Sequence, residues 1–74
     1  MIEKRIRLNG ISDVRELVGA AEKCDFDVDI YYNHLEFDAK SIIAILSMDL
    51  RQCLVVKYNG QDAGLENVLD KYTA

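Results

Sequence analysis

The chain has 74 residues, of which half are hydrophobic and 30% are charged, and its formal net charge is −4. This length accommodates one domain, and the composition favours a packed globule over a disordered chain. So small a domain leaves little room for a catalytic cleft of ordinary size. The acidic balance disfavours nucleic acid and anionic membranes as partners, and no apolar run approaches the roughly 20 residues that span a bilayer.

Several kinds of site are not expected from the sequence. Cys24 and Cys53 form no CxxC pair and have no nearby histidine, so we expect two buried, reduced thiols and no metal site. There is no Ser-His-Asp arrangement and no glycine-rich phosphate loop, which argues against an independent enzyme and against a cofactor. The amino terminus, MIEKRIRL, lacks the apolar core of a signal peptide, so the sequence predicts a cytoplasmic protein.

The first half of the chain alternates between strand and helix patterns. Ile2, Ile6 and Leu8 alternate with charged residues, which predicts a strand over residues 2–8. Ser12 or Asp13 then caps a helix, with Asp13 and Glu16 as a weak capping box. The apolar positions of this helix have helical spacing and are Val14, Leu17, Val18, Ala21 and Cys24. Residues 27–38 alternate again on both sides of Asn33-His34 and predict a hairpin.

The second half adds two helices and one strand. A helix is expected to begin at Asp38 or Ala39 and to run to about Met48. The apolar run at residues 53–56, closed by Lys57 and Tyr58, predicts a central strand covered on most of both faces. Asp62 caps the last helix. The apolar side of that helix comprises Leu65, Val68, Leu69 and Tyr72.

The element order β-α-β-β-α-β-α predicts a single α+β domain over residues 1–74. Its four-stranded sheet is expected to be antiparallel, with three helices on one face. The opposite face of such a sheet meets water. Residues expected on that wet face include Glu3, Arg5, Arg7, Asp29 and Tyr31.

The helix near residue 42 is apolar almost all the way round. An amphipathic helix buries a stripe of roughly 100°, so its four large apolar residues cannot all point inward. These residues are Ile42, Ile43, Ile45 and Leu46. Lys40 and Ser41 stand at the expected amino end, where the helix dipole favours negative charge such as phosphate. The pattern is compatible with a buried connecting helix or with an exposed docking surface.

The stretch DAKSIIAILSM, between a short hairpin and a strand that ends in NGQD, resembles the histidine-containing phosphocarrier protein (HPr) family of the bacterial sugar phosphotransferase system. The resemblance implies an HPr-like open-faced β-sandwich. It also implies that Ser41 is a regulatory phosphorylation site. The side chains that it assigns to partner binding are Lys40, Ile42, Ile43 and Leu46, whereas Ile45 and Leu50 go to the core.

The chain departs from the family at the phosphoacceptor. The family carries its histidine after the first strand, where this chain has Asn9-Gly10-Ile11-Ser12-Asp13. The acceptor position falls at Gly10 or at Ser12, depending on the alignment, and neither residue can carry a phosphoryl group as histidine does. Ser12 is expected to be a helix cap instead. His34, the only histidine, lies in the predicted hairpin turn.

These observations favour a non-catalytic HPr-like interaction domain, which binds protein partners of phosphotransferase or carbon-regulation type. An HPr kinase would act on Ser41. Two alternatives stay open, namely a phosphocarrier whose acceptor has moved to His34 and a structural module that self-associates. The expected state is a monomer or a weak homodimer.

Overall fold

A computed structural model describes residues 1–46 and 53–73. Within these ranges the elements follow the predicted order. The strands are β1 (Ile2–Ile6), β2 (Val28–Tyr32), β3 (Leu35–Asp38) and β4 (Leu54–Tyr58), and the helices are α1 (Ile11–Glu22), α2 (Ile42–Leu46) and α3 (Ala63–Lys71). None of the helices in this part of the chain is long and apolar enough to cross a membrane.

The four strands form one antiparallel sheet in the order β1-β4-β2-β3. One face of the sheet carries the apolar residues of each strand, and these join the buried residues of all three helices in one core. The strand residues in this core are Ile6, Val28, Ile30, Leu54, Val56 and Tyr58. The predicted α+β architecture, with the helices on one face, is therefore confirmed for the described residues.

The other face of the sheet is open. Val55 and Lys57 of β4 are half-buried on this face. The expectation that β4 is covered on most of both faces was therefore wrong, although its central position was predicted correctly. Lys57 places its ammonium 3.1 Å from the Glu3 carboxylate and 4.2 Å from the centre of the Tyr31 ring, so it binds groups from both neighbouring strands.

The hairpin between β2 and β3 forms where it was predicted. Tyr32 pairs with Leu35, and the turn residues Asn33 and His34 have φ angles of 53° and 72°. Two successive positive φ values are the backbone of a type I′ turn, whose twist matches that of the strands. The turn leaves both residues exposed to solvent.

Helix α1 begins earlier than expected, and the two cap assignments at its start were wrong. Gly10 occupies the N-cap position, and no side chain forms a cap hydrogen bond there. Ser12 is exposed in the first turn. Asp13 lies one residue further on and accepts a hydrogen bond from the Asn9 backbone N–H at 2.9 Å. The Asp13 carboxylate thus links the preceding loop to the helix by this hydrogen bond. Asp13 and Glu16 do not form the predicted capping box, because Asp13 is not the N-cap residue.

Helix α2 begins later than expected, because the hairpin extends through Asp38. Asp38 pairs with Asp29 in the sheet, and the Ala39 N–H still bonds to the Val28 carbonyl at 2.8 Å. The Asp38 carbonyl then accepts a hydrogen bond from the Ser41 N–H, which closes a turn before the helix. The predicted end near Met48 lies outside the described residues.

Strand β1 is shorter than the predicted 2–8. Its last pairing joins Ile6 to Leu54, the first residue of β4, so Arg7 has no partner in that strand. The Arg7 N–H bonds instead to the Tyr72 carbonyl at 2.9 Å, and Leu8 is still buried in the core. The segment after α3 therefore covers part of the free edge of β1.

The two cysteines differ in environment. Both are free thiols, and Cys24 is buried as expected, whereas Cys53 is exposed, contrary to expectation. Burial, followed by the negative charge of Asp62, raises the pKa of the Cys24 thiol, which keeps it protonated. Cys53 directly precedes β4 and is not part of the strand, whose first residue, Leu54, is buried.

The hydroxyl of Tyr58 yields a stability prediction. Tyr58 is 1% exposed, and its hydroxyl is a buried polar group with no hydrogen-bond partner among the described residues. An unsatisfied buried hydroxyl destabilises the folded state, so Tyr58→Phe should raise the free energy of unfolding by about 1 kcal/mol. Urea denaturation of both proteins measures the change. A loss of stability would show that the hydroxyl has a partner.

Gly60 yields a second prediction, because a Cβ atom there would lie 2.3 Å from Cδ2 of Phe26. The Phe26 ring stacks on Tyr58 with 6.0 Å between ring centres, which limits its room to move. Gly60→Ala should therefore lower the free energy of unfolding by about 1–3 kcal/mol through overpacking.

Gly19 provides the matched control, since a Cβ there meets nothing within 4 Å beyond the backbone of its own helix. In the middle of α1, Gly19→Ala should raise stability by about 0.5–1 kcal/mol. Thermal unfolding of the two variants compares the same chemical change at both sites. Equal shifts of Tm would contradict the packing argument.

Candidate functional site

Helix α2 carries most of the predicted site residues, and Ser41 forms its amino end. The Ser41 hydroxyl accepts a long hydrogen bond, 3.4 Å, from the Ala44 N–H, and its carbonyl accepts the Ile45 N–H at 3.2 Å. Ser41 thus acts as the N-cap residue of the helix. Its predicted position at the helix start is confirmed, and the residue is half-exposed.

The four large apolar side chains of α2 divide into an inner and an outer set. Ile45 is completely buried, and Ile42 packs, partly buried, against the core. Ile43 is 80% exposed and Leu46 is 43% exposed. The exposed part of the predicted surface therefore consists of Ile43 and Leu46, and Ile42 lies at its inner border. Leu50, which the resemblance assigned to the core, lies outside the described residues.

Lys40 holds the start of α2 against the segment after α1. Its ammonium donates a hydrogen bond to the Cys24 carbonyl at 3.2 Å, and its backbone N–H donates to the Asp38 carboxylate at 2.9 Å. A cation near the carboxyl end of a helix interacts favourably with the helix dipole. The Lys40 ammonium is thus bound within the chain.

Gly10 and Ser12, which the resemblance aligns with the phosphoacceptor, lie at the amino end of α1. Lys40 bonds to the segment after the carboxyl end of the same helix. Gly10 is the N-cap, and Ser12 is exposed two residues later. Glu22 follows Ser12 by ten helical steps of 1.5 Å, a distance of about 15 Å along the axis. The acidic groups of the same helix turn are Asp13 and Glu16, and Glu16 is paired with the Lys71 ammonium.

Asp13 and Glu16 take part in a polar cluster that joins α1 to the end of α3. The Tyr72 hydroxyl lies 3.0 Å from the Asp13 carboxylate and in hydrogen-bond contact with Glu16. The Lys71 ammonium donates to both oxygens of Glu16 at 3.1 Å. We call these four residues the α1–α3 clasp. A phenol has one proton, so only one carboxylate accepts it at a time.

The sequence patterns did not reveal the clasp. They placed Tyr72 on the apolar side of the last helix, and its ring does pack against the core. The hydroxyl at the tip of the ring reaches Asp13, 59 residues away in the chain, and helical periodicity carries no information on such a pairing. The hydrogen bonds to Tyr72 and Lys71 lower the pKa of Glu16, and the bond to Glu16 raises the pKa of Tyr72.

His34 lies at the exposed tip of the β2–β3 hairpin. Its role as a relocated phosphoacceptor stays a prediction. Among the described residues, no group of three or more His, Cys, Asp and Glu side chains could hold a metal ion.

The clasp makes stability depend on pH in a defined way. The folded-state pKa of Glu16 lies below its ordinary value of 4.5, so its stabilising effect is present at neutral pH and is lost as pH falls through the folded pKa. The folded-state pKa of Tyr72 lies above 10, so its effect is lost as pH rises beyond 10. Tyr72→Phe should therefore destabilise the protein most between about pH 6 and 9.

Urea denaturation of wild type and Tyr72→Phe at pH 3 and pH 7 measures this difference. Tyr58→Phe removes a hydroxyl that has no hydrogen-bond partner among the described residues, so its effect should be the same at both pH values. A Tyr72→Phe effect that is equally large at pH 3 would contradict the ionic character of the clasp.

No protein-family model matches this chain, and no curated protein matches it either.

Proposed function

We propose that this protein is an HPr-like interaction domain that binds a protein partner through Ile43 and Leu46 of α2 and transfers no phosphoryl group itself. The observation that carries the proposal is the pair of large apolar side chains, 80% and 43% exposed, on a short helix that Ser41 caps. Exposed aliphatic groups next to one another are costly in water and are typical of interaction sites.

The architecture supports the HPr-like part of the proposal. The element order and the four-stranded antiparallel sheet with helices on one face agree with what the resemblance implies. Lys40 and Ser41 precede α2, as in the Lys-Ser-Ile motif of that family. At the other end of α1, where the family places its histidine, this chain has Gly10 and Ser12 near two carboxylates, which supports binding without phosphoryl transfer.

Ser41 is the proposed regulatory site. A phosphate there adds about −1.5 to −2 charges at neutral pH, two residues from Ile43. The ammonium of the preceding Lys40 already binds the Cys24 carbonyl, and the Asp38 carboxylate lies on the other side of the same turn. A partner that covers Ile43 would have to desolvate this charge, so modification should change partner choice.

The docking role predicts a selective effect of charge on partner capture. Immobilised wild type, Ile43→Asp and Leu46→Asp are compared for the proteins that they retain from a bacterial lysate. Ile11→Asp is the matched control, because Ile11 is 58% exposed and belongs to α1 and not to α2. We expect at least about a tenfold loss of the captured protein with the α2 variants, since a charge must be desolvated in an apolar interface. Equal losses with Ile11→Asp would contradict the assignment.

The regulatory role predicts a single phosphate at Ser41. Wild type, Ser41→Ala and Ser12→Ala are incubated with ATP and an HPr kinase, and their intact masses are measured. We expect one added phosphate on wild type and on Ser12→Ala and none on Ser41→Ala. Absence of phosphate on every protein, or its loss with Ser12→Ala, would rule out the proposed switch.

A further inference from the structure

The sheet ends in two edge strands, β1 and β3, whose open-face side chains differ in charge. On β3 they are the carboxylates of Glu36 and Asp38, whereas on β1 they are the carboxylate of Glu3 and the guanidinium of Arg5. An edge strand presents backbone N–H and C=O groups that can pair with a strand of another chain. Like charges oppose the pairing of β3 with its own copy, and opposite charges favour such pairing of β1.

The outer edge of β1 carries the backbone groups of Glu3 and Arg5. The Arg7 N–H, directly after the strand, donates to the Tyr72 carbonyl at 2.9 Å, in the segment that covers one end of this edge. Backbone groups of successive residues in an antiparallel strand point alternately to its two sides. The N–H and C=O groups of Glu3 and Arg5 therefore point to the same edge as the N–H of Arg7.

The pairing on the other side of β1 gives the same alternation. The Val28 carbonyl accepts a hydrogen bond from the β3 side, so the backbone groups of the next residue, Asp29, point to β4. Lys57 is the β4 partner of Asp29, and the groups of its neighbour Val56 therefore point to β1. Val56 is paired with Lys4. The backbone of Lys4 thus faces β4, and its two neighbours in the strand face the outer edge.

Only one two-fold register of β1 against its own copy joins opposite charges. With the axis at Lys4 and perpendicular to the sheet, Glu3 of each copy lies opposite Arg5 of the partner subunit. Both residues face the edge, so each of these two pairs can exchange two backbone hydrogen bonds. An axis at Glu3 would place two carboxylates opposite one another, and an axis at Arg5 would place two guanidiniums opposite one another. The charges therefore select the axis at Lys4.

The side chains around this axis are compatible with the contact. Arg5 is exposed and forms no salt bridge with the described residues, so its guanidinium is available to a carboxylate. Glu3 lies beside the Lys57 ammonium of its own chain, at 3.1 Å. On the helix side the two Lys4 side chains would meet near the axis, and each is paired with Asp70 of its own chain at 3.4 Å. The contact therefore leaves no cation without a carboxylate.

We infer that two copies of this protein pair through their β1 strands, with Glu3 of each opposite Arg5 of the partner subunit. The product is one antiparallel sheet of eight strands. A two-fold axis perpendicular to the sheet keeps the helices of both copies on the same side. Pairing of the two β1 edges also removes an unpaired edge from each copy.

The segment after α3 limits the length of this contact. Thr73 pairs with Ile6, and the Tyr72 carbonyl accepts the Arg7 N–H, so the carboxyl end of β1 is already covered. The pairing between copies is therefore confined to residues 3–5. So short a contact buries little surface, and we expect a weak dimer that dissociates on dilution.

The inference goes beyond the proposed function and does not depend on it. Helix α2 packs beside β3, at the other edge of the sheet, so the pairing of β1 strands leaves Ile43 and Leu46 uncovered. In the dimer the two β3 strands are seven strand spacings apart, which is about 34 Å. A partner with two binding segments could contact both α2 helices, and its affinity would then rise through avidity.

Charge exchange at residues 3 and 5 tests the pairing by sedimentation equilibrium between about 0.01 and 1 mM protein. Glu3→Arg places two cations in each pair, and Arg5→Glu places two carboxylates in each pair. Each variant alone should therefore dimerise at least about tenfold more weakly than wild type. An equimolar mixture of the two has opposite charges in both pairs, so it should form a heterodimer at least about tenfold more tightly than either variant self-associates. The double variant, Glu3→Arg with Arg5→Glu, should recover the wild-type affinity.

The same exchange on α1 controls for net charge. Glu22→Arg and Arg15→Glu change exposed residues of that helix by the same charges. Each should dimerise like wild type, and their mixture should associate no more tightly than wild type. Circular dichroism of every variant checks the fold, because Glu3→Arg also removes the surface salt bridge to Lys57, which contributes little to stability.

Two results would overturn the inference. One is a wild type that stays monomeric at about 1 mM. The other is a mixture of Glu3→Arg with Arg5→Glu that associates no more tightly than the mixture of the two α1 variants. Both results are distinct from the outcome of the capture experiment, which depends on Ile43 and Leu46 at the opposite edge of the sheet.

Discussion

The burial of one face of the sheet is the constraint on which the rest of the structure depends. β4 lies between β1 and β2, and its residues Leu54, Val56 and Tyr58 form the floor on which the helices pack. The buried residues of the described ranges form one cluster, and each helix contributes its apolar side chains to the same face of the sheet. The open face carries polar interactions such as the salt bridge between Glu3 and Lys57, which is compatible with contact with water.

The same constraint explains why α2 exposes apolar groups. The helix has five residues, less than one and a half turns, and it reaches the core through Ile45 and the inner side of Ile42. Side chains on the opposite side of so short a helix have no element above them among the described residues. Ile43 and Leu46 are therefore exposed because of the shortness of the helix, and they are the residues through which we propose that a partner binds.

The two ends of α1 have different chemistry. At its amino end, Asp13 and Glu16 bind Tyr72 and Lys71, so the polar groups stabilise the packing of α1 on α3. At its carboxyl end, Lys40 binds the Cys24 carbonyl and thereby fixes the approach to α2.

The sequence by itself determined the order of the elements, because strand and helix periods are properties of neighbouring residues. It also determined the Asn33-His34 turn, the Asp62 cap of α3, whose carboxylate accepts the Leu65 N–H at 2.9 Å, and the position of Ser41 at the start of α2. The sequence predicted the first residues of α1 and α2 less accurately. The Gly10 carbonyl accepts the Val14 N–H, which starts α1 early, and Asp38 bonds to Lys40 and Ser41, which delays α2.

Only the tertiary structure decided which apolar residues of α2 are exposed, since periodicity gives the spacing of side chains and not the element that covers them. It likewise decided the pairing of Tyr72 with Asp13 and Glu16. These contacts join residues that are far apart in the chain. Their physical cause is the closure of the sheet and helices around one core, which no local sequence pattern specifies.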